Sequence, residues 1–323
     1  MMRPTQQSLA TNGFEAYRKR TRRDEFLAQM NAVVPWNQLC GLIEPVYPKN
    51  SGAGRPVVGL ERMLRIYFLQ QWFNLSDPAV EEALYDSQSM RQFVGIDLGV
   101  EGAPDETTVC KFRHLLETHE LGKTIFKQVN QHLQQQGMKV TRGTIVDATI
   151  INAPSSTKNQ EGQRDPQMHQ VKKGNQWYFG MKAHIGVDSQ TKLIHSVVAS
   201  AANVHDSQAL PYLLHGNERR VWGDSAYRGQ RKIIRQHARQ AQDFTHEKAN
   251  RRPLTPQQKA SNRTKSRVRV RVEHCFLVIK RIFGFHTVRY RGLPKNLHRL
   301  QVTCALTNLY MARRMLLSAA VYG

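Results

Sequence analysis

Acidic residues and cysteines are both scarce in this chain of 323 residues. It carries 25 Asp and Glu against 47 Lys and Arg, which gives a formal net charge of +22 at pH 7. Such an excess indicates a polyanionic partner, which is DNA, RNA or an anionic membrane surface, and says little about the fold. The four cysteines form no CxxC pair, so we expect reduced thiols in a cytosolic protein and no zinc site.

Long apolar runs and nucleotide-binding motifs are missing as well. No run of about 18 apolar residues is present, and no charged segment followed by an apolar one opens the chain, so we expect no membrane partner. No GxxxxGK loop is present, and we therefore expect no nucleotide cofactor. Among polyanions, this leaves a nucleic acid as the expected partner.

The first third of the chain has the pattern of short helices. Thr21 and Asp24 resemble a capping box, and apolar residues recur at helical spacing from Leu60 to Phe73. Ser76-Asp77-Pro78 and Pro104–Thr108 each have the composition of a helix start. Such helices would suit a helix-turn-helix-like DNA-binding unit, and a plain helical domain is an equally good reading.

The texture changes to strands after a predicted helix from Gly122 to Gln136. Predicted strands, helices and loops alternate from Thr144 onward, and they are Thr144–Ile151, a polar loop Asn152–Asn175, strands Trp177–Val187 and Leu193–Ala199, a helix Asp206–Leu214, a strand Arg220–Gly223, a helix Gln230–Gln240, a strand at Phe244–His246, and a long helix Arg267–Phe283. This order predicts a ribonuclease-H-like core, a mixed five-stranded sheet with flanking helices, preceded by an all-α domain.

The predicted organisation has four parts. They are a helical DNA-binding domain at residues 1–121, with residues 1–20 ordered only on binding, a linking helix at 122–140, a catalytic domain at 141–313 and a C-terminal tail at 314–323.

Three acids stand out against this basic background. Between Arg251 and Arg299 there are 14 Lys and Arg and a single acid, Glu273. Asp147 lies inside an apolar strand, and Asp224 follows the fourth predicted strand. In a ribonuclease-H-like fold the first and fourth strands are parallel neighbours, so the two Asp side chains would meet at matching ends.

A bound cation would explain why these carboxylates are tolerated. A lone buried carboxylate costs several kcal/mol or becomes neutral, whereas an ion bound between carboxylates reverses the penalty. Mg²⁺ prefers oxygen ligands, Mn²⁺ is a natural substitute, and two such ions about 4 Å apart can stabilise both oxygens of an in-line displacement. The bland alternatives are that Asp147 caps a turn, that Asp224 starts a helix, and that Glu273 merely pairs with Arg269.

Five segments together resemble the transposases of bacterial insertion sequences, in the family named for insertion sequence five. They are VDATIINAP, GMKAHIGVD, SAANVHDSQ, GDSAYRG and RVRVRVEHCFLVIKRIFGFHTVRYRGLPKN. The resemblance extends from about Gly54 to Ala312. Around the Glu, the family signature has Arg269, Glu273 and Lys280 in place, whereas Ser266 stands where the wider family has Tyr.

The resemblance implies a DDE enzyme in which Asp147, Asp224 and Glu273 bind two Mg²⁺ ions. Arg269 and Lys280 of the signature, together with Arg289 and Arg291, are then expected to contact the DNA backbone. His184 and Asp206 also lie in matching segments, but His184 is as readily a core histidine as a catalytic accessory, and the simpler alternative for Asp206 is that it caps the helix that follows it.

The expected function is that of a DNA transposase. It would bind the terminal inverted repeats of its element, free a 3′-hydroxyl and join it to target DNA, as a homodimer or larger assembly in the cytoplasm, associated with the bacterial nucleoid. The alternatives are a ribonuclease-H-like nuclease that does not join strands, and a captured DNA-binding protein without catalysis.

Overall fold

The computed structural model describes residues 19–49, 56–160, 162–249 and 253–322, with side chains in the last helix to residue 318. Within these residues no helix is long and apolar enough to cross a membrane. The expectation for residues 1–20 falls almost wholly outside the described residues. Contacts divide the chain into two compact units, Met1–Gln128 with Leu309–Gly323, and Val129–Asn308.

The first unit is helical. Its elements are α1 Arg22–Val33, α2 Trp36–Ile43, a 3-10 turn Glu44–Val46, α3 Leu60–Phe73, α4 Asp77–Asp86, α5 Gln88–Val94, α6 Glu106–Thr118 and most of α7 Leu121–Gln135. The predicted helix starts are confirmed, because Thr21, Ser76 and Asp105 each accept a hydrogen bond from a backbone N–H of the first turn. Ten of the fourteen residues of α3 are buried, so this helix forms the core of the unit.

The second unit contains one mixed sheet. Its strands are β1 Gly143–Asn152, β2 His169–Lys173, β3 Gln176–Asp188, β4 Ile194–Ala201, β5 Arg220–Trp222 and β6 Gln242–Asp243. Its helical elements are a 3-10 turn Asp206–Gln208, α8 Leu210–Leu213, a 3-10 turn Ser225–Tyr227, α9 Arg231–His237, α10 Pro256–Arg269, α11 Arg271–Leu277, a π-helical turn Val278–Ile282 and the start of α12 Leu293–Tyr322.

The sheet order is β2-β3-β1-β5-β6, with β4 also paired to β3. Strands β1, β3 and β4 form an antiparallel meander, because β3 runs antiparallel to both β1 and β4. The parallel pairing of β1 with β5 is confirmed as well, and β5 continues parallel to β6. This is the expected ribonuclease-H-like arrangement, with β1 in its interior.

Three details differ from the sequence prediction. The predicted polar loop Asn152–Asn175 contains β2, an exposed edge strand that makes the sheet six-stranded rather than five-stranded. The last predicted strand is β6, which lies two residues earlier in the chain. The single helix predicted at Arg267–Phe283 is wrong. Helix α10 already begins at Pro256 and ends at Arg269, and Val270 separates it from α11, which passes into the π-helical turn.

Candidate active site

The parallel register of β1 and β5 brings Asp147 and Asp224 to the same level of the sheet, just beyond the C-terminal end of β5. Ile145 is the last residue of β1 paired with β5, and its partner is Trp222. Each acid lies two residues beyond its member of this pair. Side chains two residues apart along a strand share a face, so both carboxylates emerge from the sheet at one level.

Asp147 is nine-tenths buried, and its strand neighbours Ile145 and Val146 are fully buried. One carboxylate oxygen accepts a 2.8 Å bond from the N–H of Ala148. The other accepts a 2.6 Å bond from the guanidinium of Arg269. Arg269 is the last residue of α10, and its guanidinium lies beside the carboxylate there.

Burial dominates the ionisation of Asp147. Together with the smaller effects of the charges of Asp224 and Glu273, it raises the pKa of this carboxyl to about 6, against the lowering effects of Arg269 and of the bond from Ala148. The carboxylate is therefore held in its ionised form largely by one cation, Arg269.

Asp224 begins the 3-10 turn Ser225–Tyr227, and one of its oxygens accepts a 2.8 Å bond from the N–H of Ala226. The simpler alternative stated above, that Asp224 starts a helix, is therefore observed in the form of a capped 3-10 turn. The preceding residue must be small, since a Cβ on Gly223 would lie 3.0 Å from the Tyr227 ring and 3.1 Å from Val146. The turn thus packs closely behind the strand end and leaves the second Asp224 oxygen for another partner.

Glu273 comes from α11, whose buried residues Val272, Cys275 and Phe276 fix the helix against the core. Its side chain is 54% exposed, and its carboxylate lies 3.7 Å from the guanidinium of Arg269. The Arg269–Glu273 pair proposed as the bland alternative is present too. It shares its guanidinium with Asp147, so Arg269 joins two of the three acids.

One cavity of about 1010 Å³ is lined by all three acids. A fourth acid and six basic residues share it, and they are Asp206, Lys172, Lys173, Lys182, Arg269, Lys280 and Arg281. A cavity with acids on its wall and bases around them suits a phosphate group held next to a cation.

The carboxylates fit a hard divalent cation in their chemistry, although they are not drawn together around one. Among the described residues, no three His, Cys, Asp or Glu side chains are grouped closely enough to hold a metal ion. Arg269 is the cation that balances Asp147 and Glu273 instead.

Two of the four predicted DNA contacts line the cavity, Arg269 and Lys280. The Nζ of Lys280 donates to the Thr149 hydroxyl at 3.1 Å and to the Ile150 carbonyl at 2.8 Å, so this lysine ties the π-helical turn to β1. Burial and then the charge of Lys173 lower the pKa of Lys280.

The other two predicted DNA contacts are not among the residues that line the cavity. Arg291 donates a 3.4 Å bond to the Arg164 carbonyl, and Arg289 is half-buried.

Lys182 is a cavity residue that sequence reasoning missed. Its Nζ lies 2.8 Å from both the Val204 carbonyl and the Asp206 carboxylate. The simpler alternative for Asp206, that it caps the following turn, is wrong, because the side chain of His205 does so. His184 is fully buried and bonds to the Ser200 hydroxyl at 2.7 Å, which is the behaviour of a core histidine.

Comparison with known proteins gives this site a family. The family model described as "Transposase DDE domain" matches residues 139–309, which is more than half of the chain. The chain is a DDE transposase. A second model, "Transposase domain (DUF772)", matches residues 14–115. A solved structure, the cryo-EM structure of a piggyBac transposase synaptic complex with hairpin DNA, is similar with a TM-score of 0.46 at 9% identity, over 93% of this chain and 77% of that one.

Membership defines the class of reaction. A DDE transposase is a metal-dependent enzyme that cuts DNA and transfers strands, so DNA is the substrate of this transposase.

Proposed function

We propose that Asp147, Asp224 and Glu273 are the three metal-binding carboxylates of this transposase, and that the metal is Mg²⁺, with Mn²⁺ as a substitute. The observation that carries the proposal is the register of β1 and β5, which sets two of the acids at one level on the wall of a cavity that Glu273 also lines. An all-carboxylate set is the ligand chemistry that Mg²⁺ and Mn²⁺ prefer.

Two bound ions would activate water, or a 3′-hydroxyl, and stabilise the attacking and leaving oxygens of an in-line phosphoryl transfer. The protein's own contribution is to present the carboxylates at fixed positions. Asp147 is fixed by its burial in β1 and by the bond from Ala148. Asp224 is fixed by the turn that it caps, with one oxygen outside that bond.

Arg269 would have two positions in this scheme. Without metal, it neutralises Asp147 and Glu273. Once a divalent cation replaces it, the guanidinium is free to pair with a phosphate of the DNA, for which its planar fork of donors is suited. Arg269 would therefore contact DNA only when the metal site is filled.

Lys280 would position the floor of the cavity. An ammonium group has three N–H donors, and two of them hold Thr149 and Ile150. The third would be available to a phosphate oxygen in the cavity. Arg289 and Arg291 remain proposed backbone contacts at the element ends.

The natural DNA substrate, on this proposal, is the terminal inverted repeats of an insertion sequence of the family named for insertion sequence five. The N-terminal region, residues 1–121, would read these ends. Joining two ends requires a homodimer or larger assembly on DNA, and the enzyme would act at the bacterial nucleoid. The five sequence segments quoted above support this assignment, because three of them contain Asp147, Asp224 and Glu273 and the other two lie between Asp147 and Asp224 in the chain.

The deciding experiment measures end cleavage and strand transfer with Asp147→Asn, Asp224→Asn and Glu273→Gln. Each variant should lose at least about a thousandfold in rate, and the triple variant should lose little more, because the three act as a unit. Glu247→Gln is the matched control, since Glu247 pairs with Arg228 at 2.9 Å outside the cavity wall. Near-normal cleavage by any of the three variants would remove that residue from the site.

A further inference from the structure

Helix α10 has no apolar face that could pack against the protein core. None of its fourteen described residues is buried, and its sequence, PQQKASNRTKSRVR, contains no acid and only two apolar aliphatic side chains larger than alanine's, the two being Val268 and the ring of Pro256. The helix begins with a capping box between Thr255 and Gln258. A helix this polar needs a reason other than core packing to be placed beside an active site.

Its inner face is anchored by polar bonds. The anchoring residues recur at i, i+3, i+4 and i+7, and they are Asn262, Lys265, Ser266 and Arg269. Asn262 exchanges two bonds of 2.9 Å with the backbone of Glu247. Lys265 donates to the Thr245 carbonyl at 2.8 Å, and the Ser266 hydroxyl bonds to the His246 ring at 3.3 Å. These bonds fix the rotation of the helix about its axis.

The outer face carries a stripe of three exposed bases, Lys259, Arg263 and Arg267. Their spacing of four residues puts them on one side of the helix, about 6 Å apart along the axis and roughly a third of a turn from the inner face. Within the described part of the chain, no ion pair joins any of the three to an acid. Like charges at this spacing disfavour the helix, so the stripe lacks a benefit inside the folded chain.

The stripe leads to the cavity. Helix α10 ends at Arg269, which contacts Asp147 on the cavity wall, and Arg267 is two residues before it. Lys259 lies eight residues before Arg267, so the stripe is about 12 Å long. One DNA strand carries a phosphate every ~3.4 Å of duplex axis, so the stripe is long enough to follow about three or four phosphates.

We propose that Lys259, Arg263 and Arg267 form a phosphate track that holds the duplex of the element end beside the bond to be cut. The inference rests on the proposed function, because it takes the cavity as the site of cleavage. The partner is identified by charge, since three bases without an acid among them match the DNA backbone. The track positions the duplex without reading its sequence, because phosphates carry no base information.

The test compares two triple variants of the full chain. One is Lys259→Gln with Arg263→Gln and Arg267→Gln. The control removes the same charge from exposed bases at and just after α9, by Lys232→Gln with Arg235→Gln and Arg239→Gln. Binding to an element-end duplex and to an unrelated duplex is measured from about 50 to 200 mM salt without divalent metal, and each variant's thermal unfolding is recorded alongside.

The track variant should bind both duplexes more weakly by the same factor. The slope of log K against log salt should become shallower by about 0.9 for each lost phosphate contact, which is about two to three in all. The control should keep the slope of the unmodified protein. An unchanged slope in a track variant that unfolds normally would overturn the proposal, as would a loss equal to that of the control.

A separate arm distinguishes target DNA from the element end. If end binding is unchanged and only strand transfer into target DNA is lost, the stripe serves the target and the proposal is overturned. Because the binding arm uses no metal, it does not depend on the carboxylates. Failure of the proposed metal site would appear as cleavage by Asp147→Asn, whereas failure of the track would appear in the salt slope.

Discussion

Helices α3 and α10 have the same length and opposite roles. Each has fourteen residues, but ten are buried in α3 and none in α10. Helix α3 is held in the first unit by side chains in close contact, whereas α10 is held in the second by hydrogen bonds to backbone and to Asp147. A helix that fills no part of the core can therefore be held in position by a few polar bonds, and it then presents its remaining side chains to solvent or to a partner.

The largest effect on stability should come from the core of α3. Trp72 is 2% exposed and lies 5.5 to 5.7 Å, ring to ring, from Phe26, Phe68 and Phe93. We expect Trp72→Ala to lower the free energy of unfolding by about 3–5 kcal/mol, through lost burial and a cavity. Arg263→Ala on α10 is the control, and it should stay within about 0.5 kcal/mol in a denaturant titration. Equal losses in the two variants would break the comparison.

Asp147, the acid in β1 that Arg269 at the end of α10 contacts, should destabilise the metal-free protein. The pKa of Asp147 is raised to about 6 by burial, from an ordinary value of 3.8. The folded state therefore binds the proton more tightly, so its contribution to stability is full below about pH 4 and is lost as pH rises through 6. We expect Asp147→Asn to be more stable than the unmodified protein at pH 8 by up to about 3 kcal/mol.

Thermal unfolding in EDTA checks this expectation at several pH values. The gain from Asp147→Asn should shrink toward zero as the pH falls to about 4. The exposed Asp86→Asn provides the control and should show no such trend. If the Asp147→Asn variant unfolds at a lower temperature than the unmodified protein at pH 8, Arg269 stabilises the carboxylate more than burial destabilises it.

A smaller effect should follow from loosening the polar anchor of α10. Asn262→Ala removes two bonds to the backbone of Glu247, and we expect a loss of about 1–2 kcal/mol. Hydrogen exchange should show the loss mainly in α10 and at residues 245–247. Thr264→Ala makes a matched control, since the Thr264 hydroxyl bonds only to a carbonyl of its own helix. Uniform loss of protection across the second unit would instead make α10 part of the core.

The smallest effect should come from the cap of α10. Thr255 accepts a bond from the Gln258 N–H, and the Gln258 side chain returns one to the Thr255 N–H. We expect Thr255→Ala to cost about 1 kcal/mol and to fray the first turn, next to Lys259. Exchange rates of the first α10 amides measure it, and Thr255→Ser should restore protection. If Ser fails where Thr succeeds, the hydroxyl is not the stabilising group.

Local signals in the sequence were enough for α3 and for the strand that bears Asp147. Apolar spacing predicts Leu60–Phe73, and the β-branched run Thr144–Ile151 predicts a buried strand; both are confirmed. The same signals are absent from β2 and α10. The HQVKK edge strand is exposed, so it has no apolar pattern, and α10 was recognisable only by its capping box.

The candidate site divides in the same way. Strand order predicted that Asp147 and Asp224 meet, because parallel register follows from the fold. The bond between Arg269 and Asp147 joins residues 122 positions apart in the chain, so no local pattern predicts it. The ion pair between Lys182 and Asp206 could not be predicted, because an Asp just before a predicted helix is equally well explained as an N-cap.

The proposed metal site is tested most directly by a crystal structure of the full chain with Mn²⁺ and element-end DNA. We predict an anomalous manganese peak bonded to Asp147 and Asp224, with Glu273 completing the site, and Arg269 moved from its 2.6 Å contact with Asp147 to a DNA phosphate. The contrary result would be Arg269 still bonded to Asp147, with manganese bound elsewhere or not at all.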